Sequence, residues 1–162
     1  MGFGLVLPLR IVQGVFAVIV LGLSGYVANW YNVDTLTSSP SQINFLVFTP
    51  VFSILSIAYL ELAPRFLPRF THPWATIALE TTNVMFYFAG FVALAVFLSR
   101  LLFCRGMVCS AARADTAFAS FSFALWAVTA GLKFRDLIKG GGFRKPAATM
   151  SGPQMKEAAM AA

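Results

Sequence analysis

Residues 104–109 read CRGMVC and hold both cysteines of the chain, Cys104 and Cys109. A thiol pair can clamp a metal, run thiol–disulfide exchange, carry lipid or form a structural disulfide. A four-ligand zinc site needs more donors than two cysteines and the single histidine, His72, supply. The spacing is not Cys-x-x-Cys, so a thioredoxin-like motif is ruled out. Palmitoylation requires thiols on the cytosolic side, whereas a disulfide requires an oxidising compartment. The choice turns on which side of a membrane the pair occupies.

Glu80 is the second residue with chemical potential. It stands with Thr81, Thr82 and Asn83 inside a long apolar stretch. A lone carboxylate in hydrocarbon is costly unless it is paired or protonated. Arg10 is the expected partner, because it enters the membrane from the same side. Two roles then compete: a proton-coupled site of the kind a small four-helix exporter uses, or an ion pair that sets helix register. The ion pair is preferred. Glu61 and Arg65 are spaced i, i+4, but Pro64 is expected to end that helix before they meet.

Enzymatic chemistry fits poorly. A Ser or Cys nucleophile needs a neighbouring base, and no apolar stretch offers one. One histidine cannot build the many-histidine metal centre of a membrane desaturase, and no glycine-rich phosphate loop with a lysine is present. The chain is read as non-enzymatic, with no cofactor and no metal.

The elements that must position these residues follow from composition. The 162 residues are 59% hydrophobic and 11% charged, with a mean hydropathy of +0.78. A soluble domain carries about 25% charged residues, and a chain this short could not hide so much apolar surface. The class is an all-α integral membrane protein. Four apolar stretches, near 11–31, 43–62, 75–99 and 116–134, each approach the roughly 20 residues that cross a bilayer as a helix. They do not alternate in polarity as barrel strands do. The first is read as a true span, not a cleaved signal, because its apolar run is too long and no small-residue cleavage site follows.

Four spans place both termini on one side. With the termini inside, nine of the twelve basic residues lie on the inner side, leaving Arg100, Arg105 and Arg113 outside. Cytoplasmic flanks collect Lys and Arg, so the bias favours an N-in, C-in four-helix bundle over residues 1–138. Trp30, Tyr31 and Trp74 stand at span ends, where amphipathic rings favour the headgroup level. Residues 139–162, rich in Gly, Ala and Pro, read as a flexible cytoplasmic tail. Arg65, Arg69, Lys133, Arg135, Lys139, Arg144 and Lys145 are expected to touch lipid headgroups. With the cysteine loop outside, a Cys104–Cys109 disulfide remains, contributing roughly 2 kcal/mol in the chain-entropy model.

Small residues recur at helical spacing in two spans: Gly14, Ala17, Leu21, Ser24 and Ala28, then Ala117, Ser120, Ala124, Ala127 and Gly131. Helices in lipid associate where small side chains let backbones approach. Both rows are expected to pack within the bundle, with a contact between copies as the alternative. Pro50, within FTPVF, is expected to kink the second span.

The spans FLVFTPVFSILSIAYLELAPRF and LETTNVMFYFAGFVALAVF, with the Glu80/Asn83 pair and the cysteine-bearing second outer loop, resemble those of MARVEL-domain proteins. The likeness is to the small fungal members, the non-classical export protein group, and covers about residues 5–138. It implies a non-enzymatic role in organising membrane: plasma-membrane microdomains, furrow-like invaginations, sphingolipid-linked organisation or vesicle membranes. The expected function is association with lipids and with itself to shape or stabilise such domains. The alternatives are a small proton-coupled transporter or channel using Glu80, and a trafficking adaptor. The expected partners are membrane lipids (anionic lipids, with sphingolipids or sterol), further copies of the chain and membrane-scaffold proteins, but no nucleic acid. The plasma membrane is the expected location, with vesicle or endoplasmic reticulum membrane as alternatives.

Overall fold

A computed structural model describes residues 3–35, 38–66, 73–100 and 106–139. They form four helices: α1 (Phe3–Val33), α2 (Ser41–Phe66), α3 (Pro73–Arg100) and α4 (Met107–Lys139). All four are long and apolar enough to cross a membrane. Neighbours in sequence pack together, and α1 closes the bundle against α4. The start of α1, the start of α3 and the end of α4 therefore share one end, which we call the terminal end. The other end holds the end of α1 and the starts of α2 and α4.

Each helix shows the interior a row of residues three and four apart, the repeat that keeps side chains on one helical face. In α1 the row is Arg10, Gln13, Ala17, Val20, Ser24 and Val27; in α3 it includes Glu80, Asn83, Tyr87 and Leu94. In α4 it is Cys109, Ala112, Asp115, Ala119, Ser122, Trp126 and Thr129. The interior is the polar side of these helices. Val15, Val18, Phe48, Leu55, Phe88 and Phe121 point outward, which suits helices whose solvent is hydrocarbon.

Three expectations need correction. The fourth helix starts at Met107, not near residue 116. Arg113 and Asp115 depress the local hydropathy, but a helix needs only its own backbone bonds, and Asp115 turns inward. Cys109 therefore lies in the first helical turn, not in an outer loop. Gly106 precedes it at φ 94°, in the left-handed region that side chains other than glycine rarely tolerate. The second helix also runs past Pro64 to Phe66, so Pro64 does not end it, and Pro50 lies within it.

The third correction concerns the small-residue row of α4. Ala117, Ala124 and Gly131 are exposed, and Ser120 and Ala127 are only half-buried. This row is displaced by two residues, about 200° around the helix, from the buried row Ala119, Ser122, Trp126 and Thr129. The interior takes the polar and bulky side chains, so the small ones face lipid. In α1 the expectation fares differently: Ala17 and Ser24 are fully buried, Ala28 packs against the core, and Gly14 is half-buried.

The tightest of the described glycine positions is Gly90 of α3, which lies against side chains of α2. A Cβ there would sit 2.8 Å from Leu46 Cδ2 and 3.6 Å from Phe45. Leu46 is itself fully buried. Gly90→Val is expected to cost about 1–3 kcal/mol by overpacking, whereas Gly131→Ala, with open space around it, should fall within about 0.5 kcal/mol of the parent. Thermal unfolding of both variants in one detergent tests this. Equal midpoints would show that α2 and α3 are not packed as described.

Candidate functional site

The polar groups turned inward form a column with four levels. At the terminal end, Arg10 and Gln13 lie three apart on α1, Glu80 projects from α3, and Trp126 and Thr129 lie three apart on α4. The Arg10 guanidinium pairs through Nη2 with Glu80 Oε1, joining the diagonal helices α1 and α3. Arg10 Nη1 donates to Gln13 Oε1 at 3.1 Å, and Gln13 Nε2 donates to Thr129 Oγ1 at 3.1 Å. The Thr129 hydroxyl donates to Glu80 Oε2 at 2.7 Å, closing a ring across three helices. The indole of Trp126 lies beside the guanidinium, its ring centroid 5.2 Å from Arg10 Cζ, within cation–π range.

This ring is closed to solvent. Arg10 is 3% exposed, and Gln13 and Glu80 are fully buried. One positive and one negative charge cancel, and both carboxylate oxygens accept a bond. Truncating one partner of such a pair strands the other charge in low dielectric.

The second level ties α2 into the bundle. Asn83 of α3 accepts from Ser53 Oγ at 2.6 Å and donates to Ser56 Oγ at 3.1 Å and to the Leu79 carbonyl at 2.8 Å. The third level is Tyr87, fully buried, whose hydroxyl lies near Ser53 and Ser122 without a hydrogen bond of normal geometry. The fourth is a tie between α1 and α4, where Ser24 Oγ donates to Asp115 Oδ2 at 2.6 Å. Asp115 is fully buried and its Oδ1 has no partner. From Thr129 to Asp115, α4 rises about 21 Å, most of a hydrocarbon core about 30 Å thick.

The structure thus brings Arg10 and Glu80 together. Asp115, Gln13 and Thr129 were missed by sequence reasoning. The signal for Asp115 was its spacing of three and four from Ala112 and Ala119, obscured by assigning residues 100–115 to a loop. Lys133 is half-buried, and Arg135 and Lys139 are exposed at the terminal end. Cys104, Arg69, Arg144, Lys145, the 140–162 tail and the side chain of Arg65 lie outside the described residues. Cys109 is 7% exposed on the inner face of α4. Among the described residues, no three of His, Cys, Asp and Glu gather as a metal site would require.

Replacing Glu80 with Gln leaves Arg10 as an unbalanced buried cation, at an expected cost of about 3–5 kcal/mol. The double variant Arg10→Leu, Glu80→Leu should recover most of that loss, because no charge is then stranded. A double-mutant cycle on thermal unfolding in lipid nanodiscs checks it. Additive losses would mean that the two residues do not interact.

Comparisons with known proteins agree with this architecture. Residues 3–132 match the model of the MARVEL family, described as a membrane-associating domain. The chain is 26% identical over 148 residues to non-classical export protein 2 homolog 1 of Saccharomyces cerevisiae, covering 83% of this chain and 82% of that protein. No solved structure matches it. A membrane-associating family model that spans most of the chain, on four membrane-length helices, places this protein in the MARVEL family.

Proposed function

We propose that this chain is a non-enzymatic membrane-organising protein that associates with lipids and with itself to shape or stabilise plasma-membrane microdomains or curved membrane. One observation carries the reading. The strongest polar groups, Arg10, Gln13, Glu80 and Thr129, are spent on one another inside the bundle, while every helix turns apolar side chains outward. Such a molecule interacts with its surroundings through a lipid-facing surface. Its membership of a membrane-associating family supports the same reading. The exposed small residues Ala117, Ala124 and Gly131 offer α4 a face for close approach to another copy. Lipid mismatch costs only fractions of a kcal/mol per Å, so self-association is needed to turn weak preferences into sorting.

The transporter reading requires Glu80 to exchange protons or substrate. Its carboxylate is instead held by Arg10 and Thr129, so liposomes carrying the chain are expected to show no proton flux above empty vesicles. The adaptor reading draws on the yeast relative's name, which speaks of export. Its readout is delivery of a chain lacking residues 140–162, and normal delivery would count against it.

A fluorescently tagged chain in one membrane that has flat and tubular regions is expected to concentrate in the tubules or in discrete domains. Uniform distribution, or flux abolished by Glu80→Gln, would overturn the organising role. The N-in, C-in orientation with a Cys104–Cys109 disulfide has its own readout. After reduction, the thiols should label only from outside intact cells. Labelling from the cytosol would reverse the orientation.

A further inference from the structure

At the terminal end, α3 and α4 leave an open-sided groove between them. Thr76, Ile77, Lys133 and Leu137 line it, around a volume of about 220 Å³. Its place is set by the polar ring beneath it. Thr76 lies one turn before Glu80, and Lys133 one turn after Thr129. The groove is therefore one helical turn, about 5 Å, nearer the membrane surface than the Thr129–Glu80 hydrogen bond.

The lining divides by chemistry. Ile77 and Leu137 are apolar, while Thr76 supplies a hydroxyl and Lys133 an ammonium. Glu80, one turn deeper, is already engaged by Arg10 and Thr129. Asp136 lies between Lys133 and Leu137 on α4 but is exposed, and no described carboxylate forms an ion pair with Lys133. The start of α3, with no acidic residue in its first turn, meets the end of α4 here, so their opposite helix-end charges offset and Lys133 supplies the groove's charge. Arg135 and Lys139 stand exposed nearby, with Asp136 the acid among them. Trp74, Phe134 and Ile138 are also exposed at this end, at 61%, 56% and 65%. This apron of large apolar side chains puts the groove at the boundary of hydrocarbon and headgroups.

We infer that this groove binds an anionic glycerophospholipid of the leaflet that faces the chain termini. The phosphate is held by Lys133 and the Thr76 hydroxyl, the upper acyl chain descends along Ile77, and Leu137 walls the headgroup side. The inference rests on the lipid-associating role proposed above and names its lipid class and site. A soluble anion would satisfy Lys133 equally well but would leave the apolar walls and apron uncovered, and the lipid covers both.

The full chain in phosphatidylcholine nanodiscs doped with phosphatidylserine provides the test, read by native mass spectrometry and by photo-crosslinking from a phosphatidylserine probe. Phosphatidylserine should be retained over phosphatidylcholine and should crosslink to residues 74–77 and 133–137. Lys133→Gln should lower retention roughly fivefold, the weight of one cation at an anionic surface. Ile77→Trp, which fills the groove and keeps the charge, should lower it as well. Arg135→Gln should lower it by less than Lys133→Gln and leave the crosslinked residues unchanged. Inorganic phosphate and glycerophosphoserine should not compete. Equal retention in the parent and Lys133→Gln, an equal loss in Arg135→Gln, or displacement by either soluble anion would overturn the proposal. Lost groove binding with normal concentration in tubules would leave the organising role standing. Normal binding with uniform distribution would do the reverse.

Discussion

Hydrocarbon offers no hydrogen-bond partner, and that constraint shapes this bundle. A membrane helix can leave Val, Leu or Phe on either face at little cost, because lipid tails are as apolar as the protein interior. It cannot leave Arg10, Gln13, Glu80, Asn83 or Asp115 facing lipid. These residues turn inward, and their partners on other helices set the rotation of each. The ring through Arg10, Gln13, Thr129 and Glu80 orients α1, α3 and α4 together. Asn83, with Ser53 and Ser56, adds α2, and Ser24 with Asp115 ties α1 to α4 at the far end. Apolar packing then fills the spaces between the levels, with Tyr87, Trp126, Leu46 and Leu94 as the large buried side chains.

Polarity inside leaves the outer surface to apolar and aromatic groups. Several of the seventeen phenylalanines gather where helices meet. Phe45, Phe48, Phe52 and Phe86 cluster between α2 and α3, with ring centroids 5.2 to 6.2 Å apart. Phe88, Phe91 and Phe123 join α3 to α4, and Phe16 meets Phe118 and Phe121 between α1 and α4. Rings in edge contact add to packing beyond their area, and several of these stay substantially exposed. The helix junctions are therefore both cohesive and broad toward lipid, a form suited to a protein whose surroundings are its main partner.

Much of the site was within reach of the sequence. Arg10 and Glu80 are charges near the same end of their apolar runs, and charges in a membrane must find one another. Asp115 was harder. Beside Arg113 it looked like loop composition, and only the inward row of α4 gives it a place. The small residues of α4 misled for a related reason. Spacing identifies a face but not the direction that face points, and Trp126 and Thr129, two residues farther along, occupy the interior instead. Lys133 read as one of several flanking cations. Its groove is formed only when the start of α3 is brought against the end of α4.

Composition and hydropathy alone determined the class, the four spans and the shared side of the two termini. These are sums over long stretches, and no tertiary contact can reverse them. The tertiary structure decided which way each helix is turned. Within an apolar span the hydrophobic signal is nearly the same all round. The inner face is chosen instead by a few polar side chains whose partners lie 27 to 116 residues away in sequence. Such pairings have no local signature, and they separate a face that packs from a face that meets lipid.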